Sequence, residues 1–137
     1  MNANQAPRLP DTIDPRTSWI GVNYIDTYHR RGMPHPWPVP ELPIVLGIEG
    51  VSIVEELGAD VTEFSIGDRV AYALPPHGAY SEKRVYPVDK LIKVPHSLSN
   101  VSDQDLAALM LKGLTAQFLL KRTYSVKSGD VILVHAA

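Results

Sequence analysis

Two clusters of side chains in this sequence have the types and spacing to do chemistry. The first is Asn23 and Tyr28, five residues apart in an aromatic stretch. An amide offers two donors and an acceptor, enough to hold a polar ligand in a fixed orientation. A tyrosine presents a phenol at the end of an apolar ring, so Tyr28 can line a slot and donate to a substrate oxygen. The second is Lys112 and Thr115, which lie one helical turn apart and can share a face. Each has a plainer reading: a turn-capping Asn, a core Tyr, a solvated Lys, and a helix-interior Thr bonding its own backbone. Asp26 reads best as the cap of a short helix or a partner of Arg30. Nothing in the chain forms a nucleophile–base pair, so acyl transfer has no support.

Metal chemistry has little to work with. The chain has no Cys, which excludes thiolate sites and disulfides. Its five His residues (His29, His35, His77, His96 and His135) are scattered without the spacing of a metal site.

These side chains must be positioned by a fold of changing character. Residues 1–18 are polar, are punctuated by Pro7, Pro10 and Pro15, and read as a loose arm. Pro34, Pro36, Pro38, Pro40 and Pro43 forbid helix and predict an extended surface connector. Short strands are expected at Gly50–Leu57, Arg69–Ala73, Ala79–Tyr86 and Leu91–Val94, with Gly and Pro between them, as in an antiparallel barrel or sandwich. Ser102 then opens a helical pattern of Leu106, Leu109, Met110, Gly113, Leu114, Gln117 and Phe118. Gly113 is expected to break it or to allow a close approach. Val131–Val134, after the turn-like Lys127–Asp130, reads as a buried strand of a parallel sheet. Such a strand leads next to a glycine-rich loop and a helix N-terminus, the seat of a dinucleotide pyrophosphate. None follows in the 137 residues, so the chain is expected to carry one half of a two-part site.

Bulk composition narrows the classes. Charged residues make up 20% and hydrophobic residues 45%, as in a globular domain. The net charge of -2 gives no footprint for nucleic acid, and no apolar run has the length of a membrane span. A cytoplasmic protein is the expectation.

The motifs resemble a known family. Gly21-Val22-Asn23-Tyr24-Ile25-Asp26-Thr27-Tyr28, followed by Arg30 and Gly32, is similar to the signature of zeta-crystallin-like, NADPH-dependent quinone oxidoreductases, within the medium-chain dehydrogenase/reductase superfamily. Gly47-Ile48-Glu49-Gly50 and Gly67-Asp68-Arg69-Val70-Ala71 resemble that superfamily's barrel, and Met110 to Gln117 resembles the quinone reductase branch. Lys127–Asp130 through Ala137 resembles the entry to its nucleotide fold.

The resemblance implies a mainly β fold with α: an incomplete GroES-like barrel, the N-terminal domain of alcohol dehydrogenases, leading through helices into the first strand of a Rossmann-type domain. The implied division is a loose arm at 1–18, the catalytic-domain portion with exit helices at 19–123, and the start of the nucleotide-binding domain at 124–137. The family's early strands are expected to be replaced by the arm, leaving an unpaired edge, and the chain is expected to be truncated at both ends.

The implied activity is hydride transfer from NADPH to a quinone without zinc. Asn23, Lys112 and Thr115 are the implied cofactor-binding residues, and Tyr28 is the implied substrate-positioning residue. In zinc-dependent relatives a Cys and a His hold the catalytic metal; Asn23 and Ile48 resemble those positions, and an Ile side chain has no donor atom. Glu49 resembles a superfamily carboxylate beside that metal and is read here as structural. A quinone is already electrophilic, so positioning and hydrogen bonding can serve in place of a Lewis acid; enones would be served as well. The partner expectations are a small-molecule quinone and a homodimer or a pairing with a full-length homologue, with no nucleic acid and no membrane. A second reading is a non-catalytic interaction module or decoy. Without its nucleotide domain the isolated chain is expected to be inactive.

Overall fold

The computed structural model describes residues 12–33 and 42–135. It contains strands β1 (Thr12–Gly21), β2 (Glu49–Leu57), β3 (Arg69–Tyr72), β4 (Tyr86–Pro87) and β5 (Ile92–Lys93), and helices α1 (Tyr24–Arg30) and α2 (Asp103–Gln117). The strands form one antiparallel sheet in the order β4-β1-β2-β3-β5.

Period-two alternation along β2 and β3 feeds two apolar layers. On one side, Val54, Val70 and Tyr72 join Ile13, Phe64, Ala79, Tyr86 and Leu91 in the main core. On the other, Val51 and Ala71 meet Ala107 of α2, with Leu106 and Met110 alongside. Helix α2 starts where the capping pattern places it: Ser102 Oγ accepts from the Asp105 amide at 3.0 Å. Arg69, from β3, fixes that end to the sheet. Its guanidinium pairs with Asp103 at 2.5 Å and donates to the carbonyls of Val101 and Leu98.

Four expectations are corrected here. The arm expected over residues 1–18 is a strand from Thr12 onward, next to β2 in the middle of the sheet. Its register with β2 shifts between Asp14 and Pro15 and again between Thr17 and Trp19. Such irregularities accommodate a proline that a regular interior strand excludes, and they erase the alternation that would have revealed it. The strand expected at Ala79–Tyr86 is mostly irregular; an isolated Arg16–Lys83 bridge and the two-residue β4 are its ladder contacts. Arg84 lies over the rings of Tyr72 and Tyr86 and donates to the carbonyls of Pro76 and His77, which holds this segment as a loop.

The break expected at Gly113 does not occur. Helix α2 runs through it and continues as a π-helix over Phe118–Thr123. Nothing lies within 4 Å of a Cβ built at Gly113, so no neighbour within the fold demands a glycine there. Finally, Val131–Val134 forms no strand, and all four side chains are exposed, Val131 at 99%. A parallel strand is held by its neighbour's ladder, and no strand pairs with it among the described residues. Of the proline-rich connector, residues 34–41 lie outside the described residues; Pro43 follows a cis peptide bond.

Candidate functional site

The site is built where β1, β2 and the two helices meet. Gly21 ends β1 opposite Glu49, the first residue of β2. Two residues later Asn23 caps α1 in an extended conformation, with φ -126° and ψ 151°. Asp26 completes that cap: its Oδ2 accepts from the Asn23 amide at 2.9 Å. The same oxygen accepts from the Tyr80 hydroxyl at 2.7 Å.

Asn23 is 8% exposed, and both ends of its amide are engaged. Nδ2 donates to Glu49 Oε2 at 2.6 Å. Oδ1 accepts from Lys112 Nζ at 2.9 Å. Lys112 Nζ also donates to the Val22 carbonyl at 3.3 Å and stands 3.5 Å from Glu49 Oε2. Glu49 has no exposed surface; its second oxygen, Oε1, accepts from the main-chain amide of Leu111 at 2.6 Å. A buried carboxylate is tolerable only when paired and hydrogen-bonded, and three donors meet this one, Asn23 from the cap of α1 and Leu111 and Lys112 from α2.

Space for the carboxylate depends on Gly21. A Cβ there would fall 2.2 Å from Glu49 Oε2 and 2.3 Å from the Ala107 carbonyl. The absent side chain lets α2 approach β1 closely enough for Lys112 to reach Asn23.

Of the four expected site residues, the fold joins Asn23 and Lys112 directly. Thr115 lies one turn further along α2, and its hydroxyl donates to the Leu111 carbonyl at 2.8 Å, the plainer of its two readings. Tyr28 is partly buried, with its ring edge-on to Tyr24 at a centroid distance of 5.3 Å. The residue that sequence reasoning set aside is Glu49. The signal available for it was a carboxylate between Ile48 and Gly50 at the start of an otherwise apolar strand.

A second polar cluster adjoins the first. His29 and His77 meet edge-to-face at 4.3 Å. Burial pushes the His77 imidazole below its ordinary pKa, with the neighbouring His29 adding to the effect and Asp26 opposing it. Burial and the Asp26 carboxylate push the Tyr80 phenol well above its usual range. Asp26 Oδ1 and His29 Nδ1 are buried without a hydrogen-bond partner.

The residues at the two positions that resemble zinc ligands are Asn23 and Ile48. Ile48 is apolar and buried, and an amide oxygen such as Asn23 Oδ1 is a poor match for zinc, which favours thiolate and imidazole. Among the described residues there is no group of three or more His, Cys, Asp or Glu able to hold a metal ion.

Comparison with known proteins decides the family. The family of the alcohol dehydrogenase GroES-like domain matches residues 10–96. This chain belongs to it. The chain is 56% identical over 128 residues to the 2-haloacrylate reductase of a Burkholderia species and 48% identical over 128 residues to a quinone oxidoreductase of Pseudomonas aeruginosa. In both cases the match covers 93% of this chain and 38% of the relative. The chain therefore spans well under half the length of these relatives. Among solved structures, the Pseudomonas syringae quinone oxidoreductase superposes with a TM-score of 0.87 at 48% identity, over 99% of this chain and 40% of that one. The Escherichia coli quinone oxidoreductase solved with NADPH superposes with a TM-score of 0.81 at 38% identity, over 93% and 37%. The GroES-like barrel reading of the sequence is thereby confirmed, and among the described residues no helix is long and apolar enough to cross a membrane.

Proposed function

We propose that this chain is the barrel portion of a zinc-independent NADPH-dependent reductase, acting on a quinone or a similarly electron-poor conjugated acceptor. The observation that carries this reading is the Asn23–Lys112 pair, an amide oxygen and an ammonium 2.9 Å apart, fixed from behind by a buried carboxylate. Nicotinamide supplies the hydride when bound. The chain's own part is to orient and to exclude water. Asn23 and Lys112 offer an acceptor beside a cation for the polar groups around the nicotinamide, Thr115 flanks them, and Tyr28 positions the acceptor's oxygen. The relatives named as reductases of quinones and of 2-haloacrylate support a shared chemistry, since both substrates place a carbonyl in conjugation with the carbon or oxygen that receives the electrons.

The 137 residues contain no Gly-x-Gly-x-x-Gly sequence. Residues 124–137 are proposed as the approach to a nucleotide-binding portion, which would recognise the cofactor's phosphates. This chain alone is expected to bind NADPH weakly and to turn over no quinone. Fused to the nucleotide-binding portion of a relative, it is expected to oxidise NADPH in the presence of a quinone. Asn23→Ala and Lys112→Met should then lower kcat/KM by about tenfold or more, the scale of one hydrogen bond to a charged group. A folded fusion that binds NADPH and is indifferent to both substitutions would refute the proposal.

A second reading rests on a different observation. Leu119, Leu120 and Tyr124 line an open groove of about 670 Å³ with the exposed run Val131–Val134. An apolar face of this kind suits an interaction module that pairs with a full-length homologue. Co-migration of the chain with such a homologue at micromolar concentration, without NADPH, would favour that reading; separate migration would remove its support.

A further inference from the structure

We infer that Glu49 is a positioning residue that decides which end of the Asn23 amide faces the ligand. The inference rests on the reading of Asn23 and Lys112 as the nicotinamide-side pair.

A carboxylate accepts and does not donate. Glu49 Oε1 takes the Leu111 N–H and Oε2 takes Asn23 Nδ2, both at 2.6 Å. With an acceptor behind it, the amide must turn its NH2 inward and its oxygen outward. The outward Oδ1 then accepts from Lys112. Turned the other way, the amide would place its NH2 against the Lys112 ammonium and its oxygen against the Glu49 carboxylate, two repulsive contacts in place of two attractive ones. Glu49 is fully buried and Gly21 walls it in, so it reaches ligand only through Asn23 and Lys112. Leu111 N–H fixes the carboxylate plane from the helix side, so the orientation is set jointly by β2 and α2.

The substitution that isolates this role is Glu49→Gln, which keeps the shape but turns one accepting end into a donor. If that donor faces Asn23, the amide must turn and meet Lys112. If it faces Leu111, the helix contact is lost and the plane is no longer fixed. Adding Lys112→Met removes the ammonium that opposes the turned amide.

The test follows the side-chain amide resonances of Asn23 by NMR in the chain as it stands, together with an NADPH titration. Expected for a folded Glu49→Gln variant are displaced Asn23 side-chain signals, NADPH affinity lowered about tenfold or more, and a further change in those signals when Lys112→Met is added. Unmoved Asn23 signals, or unchanged NADPH affinity where the unsubstituted chain binds measurably, would overturn the inference. If Glu49→Gln does not fold, the coupling across the hydrogen bond between Asn23 Nδ2 and the Glu49 carboxyl carbon in the unsubstituted chain decides, its presence supporting the inference and its absence overturning it. If the Asn23 signals respond as expected but the unsubstituted chain gives no NADPH response at any residue, the orienting contact stands and the nicotinamide reading falls.

Discussion

The Glu49 carboxylate accepts a hydrogen bond from the main-chain amide of Leu111 at 2.6 Å, across 62 positions of sequence. This one contact ties the first residue of β2 to the middle of α2, and it places Lys112 beside Asn23. Stability and site geometry are therefore expected to respond together when any member of the set is changed.

Asn23→Ala removes the donor to Glu49 and the acceptor for Lys112 at once. Leaving a buried polar group without its partner costs about 1–3 kcal/mol, so chemical denaturation should show a loss of that order. Lys112→Met should cost less than that, because the ammonium is half-exposed to solvent and Glu49 keeps its hydrogen bonds from Asn23 and Leu111. Equal losses in the two variants would show that the buried Glu49–Asn23 contact is not the stronger one.

Two glycines should behave in opposite ways. Gly21→Ala would push a Cβ into the Glu49 carboxylate and the Ala107 carbonyl. Overpacking of this kind costs about 1–3 kcal/mol or more, and α2 should shift away from β1. Gly113→Ala meets nothing within 4 Å and sits in a continuous helix, so it should stabilise the chain by about 0.8–1.0 kcal/mol. Thermal melts of both variants check the pair. If Gly113 serves close approach of the nicotinamide, the same substitution should raise the melting temperature yet weaken NADPH binding in the fused enzyme.

Much of this site was legible in the sequence, and the part that was not has a physical reason. Asn23 and Lys112 stand out because they fall in the two motifs that resemble the quinone reductase branch. Helix α2 is legible from Ser102 and its apolar periodicity. Strand β1 is hidden because Pro15 and two register shifts remove the alternation by which a strand is read. Glu49 is read from the sequence as structural, but its partners are not legible there, because the donors that meet it lie 26 and 62 positions away. The run Val131–Val134 has the apolar β-branched character of a strand, but among the described residues no neighbouring ladder forms on it.

The His29–His77 contact predicts a pH dependence of stability. The folded-state pKa of His77 lies below its unfolded value of 6.5, chiefly because of burial. The unfolded chain then binds more protons in that interval, so stability rises with pH there. The contribution is fully present above pH 6.5 and is lost as pH falls toward the folded pKa. Melting temperatures measured between pH 7 and pH 5 should fall, and His77→Gln should flatten the fall. A variant that keeps the whole slope would assign it to other groups.

The most direct test of the central claim is a titration of the 137-residue chain with reduced nicotinamide mononucleotide, followed by NMR. This ligand lacks the adenosine half, so it tests the barrel side without calling on a phosphate loop. Expected are saturable shifts, weak in affinity, at the Asn23 side chain, Lys112 and Thr115, and their loss in Asn23→Ala. A folded chain that shows no response at these residues, or a saturable response confined to other parts of the sheet, would contradict the claim.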